Sequence, residues 1–144
     1  MIEQDTIKLL RECDAGVKMG VKSIDDVLKH TKSSKLQKTL SDCKNEHDSI
    51  DKEIQKELDK YQDKGKNPNP IAKGMSKMKT VMKIAVNESD RTVADLITDG
   101  CNMGVKSLSK YLNEYKAADE RSKDIAKKLI AVEESLAVNI RGYL

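Results

Sequence analysis

Apolar residues recur at alternating steps of three and four in four separate segments of this chain, and that rhythm leaves few folds open. Leu10, Cys13, Val17, Gly20, Ile24, Val27/Leu28 and Thr31 trace one stripe over about residues 3–31. Leu36, Leu40, Cys43, His47, Ile50, Ile54, Leu58 and Tyr61 trace a second over about 35–62. Val93, Leu96/Ile97, Gly100/Cys101, Gly104, Leu108, Tyr111 and Tyr115 trace a third from about 90 to 116. Ile125, Leu129, Val132, Leu136 and Ile140 trace a fourth from about 119 to 141. Each is the mark of a helix that buries one face. Aromatic residues are 3% of the chain and all are Tyr, too few for a typical sandwich of sheets. Two Pro and seven Gly leave little punctuation, which favours long helices. The expectation is a single all-α domain over 1–144: an antiparallel four-helix bundle of two helical hairpins, about 3–62 and about 90–141, joined by a crossover over 63–90.

Local signals predict the joints. Lys32-Ser33-Ser34 is a turn short enough to force the first two helices antiparallel. Ser34 with Gln37 reads as a capping box. Gly65 reads as the stop of the second helix, and Asn67-Pro68 and Asn69-Pro70 block helix beyond it. Ser89 or Asp90 is the expected N-cap of the third helix.

The two hairpins share a phrase. GVKMGVKSI at 16–24 and GCNMGVKSL at 100–108 agree, identically or conservatively, at seven of nine positions, which points to a duplication and a pseudo-two-fold relation. Each copy carries glycines four apart, Gly16 and Gly20, then Gly100 and Gly104. A helical glycine costs about 1 kcal/mol against alanine, so these four need a reason. The expected one is a close crossing of the first and third helices at two flat strips.

Charge and composition exclude several classes. Twenty-seven basic against twenty-four acidic residues leave a net charge of +3, too balanced to signal nucleic acid. No apolar run approaches the roughly 18 residues that would span a bilayer, and the first ten residues lack a secretory signal's basic-then-apolar pattern. Three widely spaced cysteines, Cys13, Cys43 and Cys101, with no Cys-x-x-Cys, read as reduced thiols in a cytoplasm. Cys13 and Cys43 stand at different levels of their helices, so no disulfide is expected between them.

Two hairpins joined by a long link resemble the ferritin-like fold. More narrowly, Asp14-Ala15-Gly16 in the first helix, the Met78-Lys79 region of the link and Asp99-Gly100 in the third helix are similar to a bacterial branch of ferritin-like proteins. That resemblance implies the bundle and its crossover, but the di-iron ligands that go with it are missing. Such sites take Glu-x-x-His from two helices. Here Glu46 is followed directly by His47 and has Ser49 three residues on, while Glu133 and Glu134 have Leu136 and Ala137 there. The third helix offers only Asp99 and Asn102. Ferroxidase, oxygenase and iron-storage chemistry are therefore not expected, nor is any cofactor or enzymatic activity.

Three readings of function remain. The first is a non-enzymatic structural or interaction protein, with a homodimer or a protein as partner. The second is a reduced metal site from Glu46, His47 and Glu133, with Asp14 nearby; His47 is on an apolar stripe and imidazole is a common ligand. The plain alternative is a core-edge histidine with one hydrogen bond, with solvated glutamates flanking the stripe. A thiolate–imidazolium pair of Cys43 and His47, one turn apart, is a further option. The third reading uses the basic amphipathic helix over 71–86. Lys73, Lys77 and Lys83, with Met75, Met78 and Met82, could meet an anionic membrane or an acidic partner, or the methionines could simply lie on the bundle.

Overall fold

The computed structural model describes residues 2–68, 79–81 and 83–144. It is all-helical, and no strand occurs among the described residues. Four long helices pack together: α1 (Ile2–Leu28), α2 (Ser34–Asp59), α3 (Asp90–Glu114) and α4 (Glu120–Ile140), followed by one 3-10 turn at Arg141–Tyr143. α1 packs on α2 and α3 on α4 as hairpins, and the hairpins join through α1 against α3 and α4 and through α2 against α4. The expected stripes form the core, including Leu10, Val17, Leu40, Ile54, Leu108 and Leu129. Burying each such side chain contributes about 1.5–3 kcal/mol.

The helix ends differ from the sequence expectation for local reasons. α2 is capped by Ser33, whose hydroxyl accepts from the Leu36 N–H at 3.2 Å, and not by Ser34. The capping box does not form. Gln37 donates instead to the Thr31 carbonyl at 2.6 Å, and the Ser33 N–H goes to Asp90 at 3.0 Å. α2 ends before Gly65. Gln62 takes a left-handed conformation (φ 53°), its N–H bonds Asp59 O, and the Asp63 N–H reaches back to Leu58 O. That pair of bonds is a Schellman stop. Ser89 caps α3, accepting from Thr92 N–H at 3.2 Å, and Asp119 caps α4, accepting from Ser122 N–H at 2.8 Å.

Each turn between hairpin helices is tied to the other hairpin. Asp90, at the start of α3, accepts from the N–H groups of Lys32 (2.7 Å) and Ser33 (3.0 Å). Thr6 in α1 accepts from the Asp119 N–H at 2.8 Å, and Asp5 from the Ala117 N–H at 3.0 Å. α3 therefore starts beside the α1–α2 turn and runs antiparallel to α1, whereas α4 starts beside the N-terminus of α1 and runs parallel to it. The described parts of the link follow α1 and then α3. Asp63 pairs with Arg11, Lys66 with Glu12, and Asn67 accepts from Lys18 at 3.4 Å. Residues 79–81 and 83–86 are helical, with Lys79 paired to Asp99 (3.1 Å) and Lys83 to Asp95 (2.7 Å).

Of the interaction candidates, Lys73, Met75, Lys77, Met78 and Met82 lie outside the described residues. Lys83 is described, and its ammonium is engaged by Asp95 on α3. The expected helix crossing at the glycines is not what forms. A methyl group added at Gly100 would meet nothing within 4 Å, and one at Gly16 would touch only the Leu129 side chain, at 3.7 Å. Gly20 and Gly104 instead face side chains of His47 and Glu133. No described helix is long and apolar enough to cross a membrane.

Candidate functional site

His47 and Glu133 meet in the middle of the packed helices. Both occupy positions that the apolar rhythm of α2 and α4 turns inward, so burial is forced by their neighbours on the stripe. The imidazole is 1% exposed and the carboxylate 11%, which makes this the most secluded charge pair among those described. Nε2 of His47 donates to Glu133 Oε1 at 2.6 Å. Nδ1 donates to the Cys43 carbonyl, one turn back on α2, at 2.8 Å. A carbonyl can only accept, as does a carboxylate, so the two bonds together favour the doubly protonated, imidazolium form of the ring.

The charge survives burial because it is paired. Burial opposes it, but the bonds to Cys43 and Glu133, with the carboxylate's charge, push the imidazolium up to about 10 from 6.5. A raised histidine stabilises the fold fully below the unfolded value and loses that contribution as pH climbs through the folded one. The window is therefore about 6.5 to 10. Urea unfolding of the wild-type chain and of His47→Gln should show a stability gap that is widest near pH 6.5. The gap should narrow by at most about 1.4 kcal/mol per pH unit up to pH 10. A gap constant with pH would show that the buried ring is neutral.

Cys43 and Cys101 lie beside the pair. Cys43 Sγ is 3.6 Å from His47 Nδ1, which is also held by the Cys43 carbonyl at the shorter 2.8 Å. The Cys101 thiol is pushed far up by burial, then by the charge of Glu133 and a hydrogen bond to it. Cys13 is pushed up to about 12, by burial first and then by Glu12 and Asp14. Those two thiols stay protonated at neutral pH and are poor nucleophiles. All three cysteines are free.

Gly20 makes the room for the ring. A methyl group there would lie 2.6 Å from His47 Nε2 and 2.8 Å from Cδ2. Gly104 lies on the Glu133 side, where a methyl would sit at an ordinary 3.5 Å from Oε2. Gly20→Ala should therefore cost about 1–3 kcal/mol through overpacking, despite alanine's better helix propensity. Gly104→Ala should be neutral or gain up to about 1 kcal/mol. Thermal unfolding of the two variants checks the contrast.

The structure brings together only part of the expected metal set. Glu46 is exposed on the outer side of α2, because a residue next to an inward-facing one on a helix points about 100° away. Asp14 is fully buried but belongs to a different cluster. Its carboxylate accepts from Lys18 (2.9 Å), Gln55 (2.8 Å) and the Lys66 backbone N–H (2.9 Å), so it anchors the start of the link. Gly65, at φ 82°, brings the chain over Asp14 at a point where a side chain would collide with the carboxylate. Among the described residues no three His, Cys, Asp or Glu side chains converge to hold a metal ion. Neither the anchoring role of Asp14 nor the place of Cys101 beside Glu133 was foreseen; the second follows only once α3 and α4 are laid side by side.

Fold and site together define an all-helical bundle protein with a buried histidine–glutamate pair at its centre. No protein-family model, no curated protein and no solved structure matches the chain.

Proposed function

We propose that this is a non-enzymatic helical-bundle protein of structural or protein-interaction type, with the helix order and traversing link of a ferritin-like arrangement. The observation that carries the reading is the commitment of both nitrogens of His47, one to the Cys43 carbonyl and one to Glu133. A ring held in that way works as a cross-link between α2 and α4, not as a base, a nucleophile or an open ligand. The ferritin-like part is supported by α3 beginning beside the α1–α2 turn, which obliges the link to travel the length of the helices.

A second reading keeps one observation on its side: His47 and Glu133 do converge, at 2.6 Å, with the Cys101 thiol beside the carboxylate. A metal there would have to displace the proton shared by the pair. Elemental mass spectrometry on untagged protein, incubated in air with Fe²⁺, Mn²⁺ or Zn²⁺, separates the two. The scaffold reading expects well under one metal per chain, unchanged in His47→Ala. One or more per chain, lost in that variant, would replace it with a metal-binding role.

A further inference from the structure

The repeated phrase sets α1 and α3 84 positions apart, as Gly20 and Gly104 illustrate. The N-caps of α2 and α4, Ser33 and Asp119, are 86 apart. Applied to burial, the two offsets relate all of the buried face of α3 to α1 and most of that of α4 to α2; Ile125 and Val132 are the exceptions, with Thr39 and the exposed Glu46 as their images. Every buried residue of α3 (Val93, Ala94, Ile97, Cys101 and Leu108) is the image of a buried residue of α1 (Leu9, Leu10, Cys13, Val17 and Ile24). Six buried positions of α2, from Leu36 to Ile54, map in the same way onto buried positions of α4, from Ser122 to Ile140. The ties between hairpins obey the rule too. Thr6 accepts from the backbone N–H of the α4 N-cap, and its image Asp90 accepts from that of the α2 N-cap.

His47 and Glu133 are also 86 positions apart, so each is the image of the other, and they touch. A residue in contact with its own image straddles the two-fold axis. We infer that hairpins α1–α2 and α3–α4 are equivalent halves about a pseudo-two-fold axis, and that the His47–Glu133 pair on that axis makes each inner face selective for the unlike half. The partner that fits the α1–α2 face is a hairpin bearing a carboxylate at the axis. Two α1–α2 faces would bury imidazolium against imidazolium, and two α3–α4 faces carboxylate against carboxylate. Like charges in a dry contact exclude both pairings. Metal at His47 would overturn the scaffold reading and leave this correspondence intact.

Charge exchange in the full chain tests it. His47→Glu alone sets two carboxylates on the axis, and Glu133→His sets two imidazoles there. Each single variant should lower the folding equilibrium constant at least about 100-fold in urea unfolding at pH 7. The double variant His47→Glu/Glu133→His should return to within about tenfold of wild type. A histidine at 133 has the Leu129 carbonyl one turn back, as His47 has that of Cys43. A second exchange, Cys43→Leu/Leu129→Cys, involves no charge and swaps another pair of images. It should also stay within about tenfold of wild type. A charge-exchanged double variant no better than the weaker single, singles as stable as wild type, or a 100-fold loss in the Cys/Leu exchange would each overturn the inference.

Discussion

Glu133→Ala should destabilise the protein by about 3–5 kcal/mol at pH 7, because it strands a buried imidazolium with no counter-charge. The pair spans α2 and α4 at 2.6 Å, with the ring 1% exposed, so water cannot take the place of the lost carboxylate without opening the contact between the hairpins. The released ring must either lose its proton or drag water into the core. Urea unfolding followed by circular dichroism gives the size of the effect, and His47→Leu/Glu133→Leu gives its cause. Removing both charges together leaves nothing stranded, so this double variant should be near wild type or better. If it is as weak as Glu133→Ala, the loss is one of shape and not of charge. The comparison also separates stability from selectivity: leucines on the axis can pack, but they no longer distinguish one half from the other.

Asp14→Ala should cost about 3 kcal/mol, with its effect concentrated where the link leaves α2. The carboxylate is wholly buried and accepts from Lys18, Gln55 and the Lys66 N–H. Its removal leaves the Lys66 N–H without its acceptor, leaves Gln55 only its 3.2 Å bond to Asp51, and takes the counter-charge from Lys18. The neighbouring ion pairs, Arg11 with Asp63 and Lys66 with Glu12, are partly exposed and contribute about 1 kcal/mol or less each, so they cannot replace it. Hydrogen exchange should speed up at Gly65 and Lys66 far more than along α3 and α4. Uniform acceleration across all four helices would show that Asp14 supports the whole core, not the link alone.

What the sequence determined by itself was what local physics controls. A period of three and four in Leu10, Val17, Leu40, Ile54 and Leu129 dictates an inward face whatever that face meets, and these residues are in the core. Ser89 caps α3 because a short oxygen side chain can satisfy the first free N–H groups with no help from the rest of the chain. The inward direction of His47 was legible for the same reason, whereas Glu133 read as a solvated residue at the edge of its stripe and is buried instead.

Only the tertiary structure decided what those residues face. Ser33 caps α2 in place of Ser34 because Asp90, 57 positions away, takes up the Ser33 N–H. Gly16, Gly20, Gly100 and Gly104 look alike as a motif, but what each one meets depends on the neighbouring helix: Leu129 for Gly16, the imidazole for Gly20, Glu133 for Gly104 and open space for Gly100. Glu46 belonged to the expected ligand set and Asp14 stood only near it, yet Asp14 is the one buried, under the link, and Glu46 faces out. Periodicity specifies a direction from a helix axis. A contact needs the register and rotation of two helices at once, and those are set by packing among residues far apart in the chain.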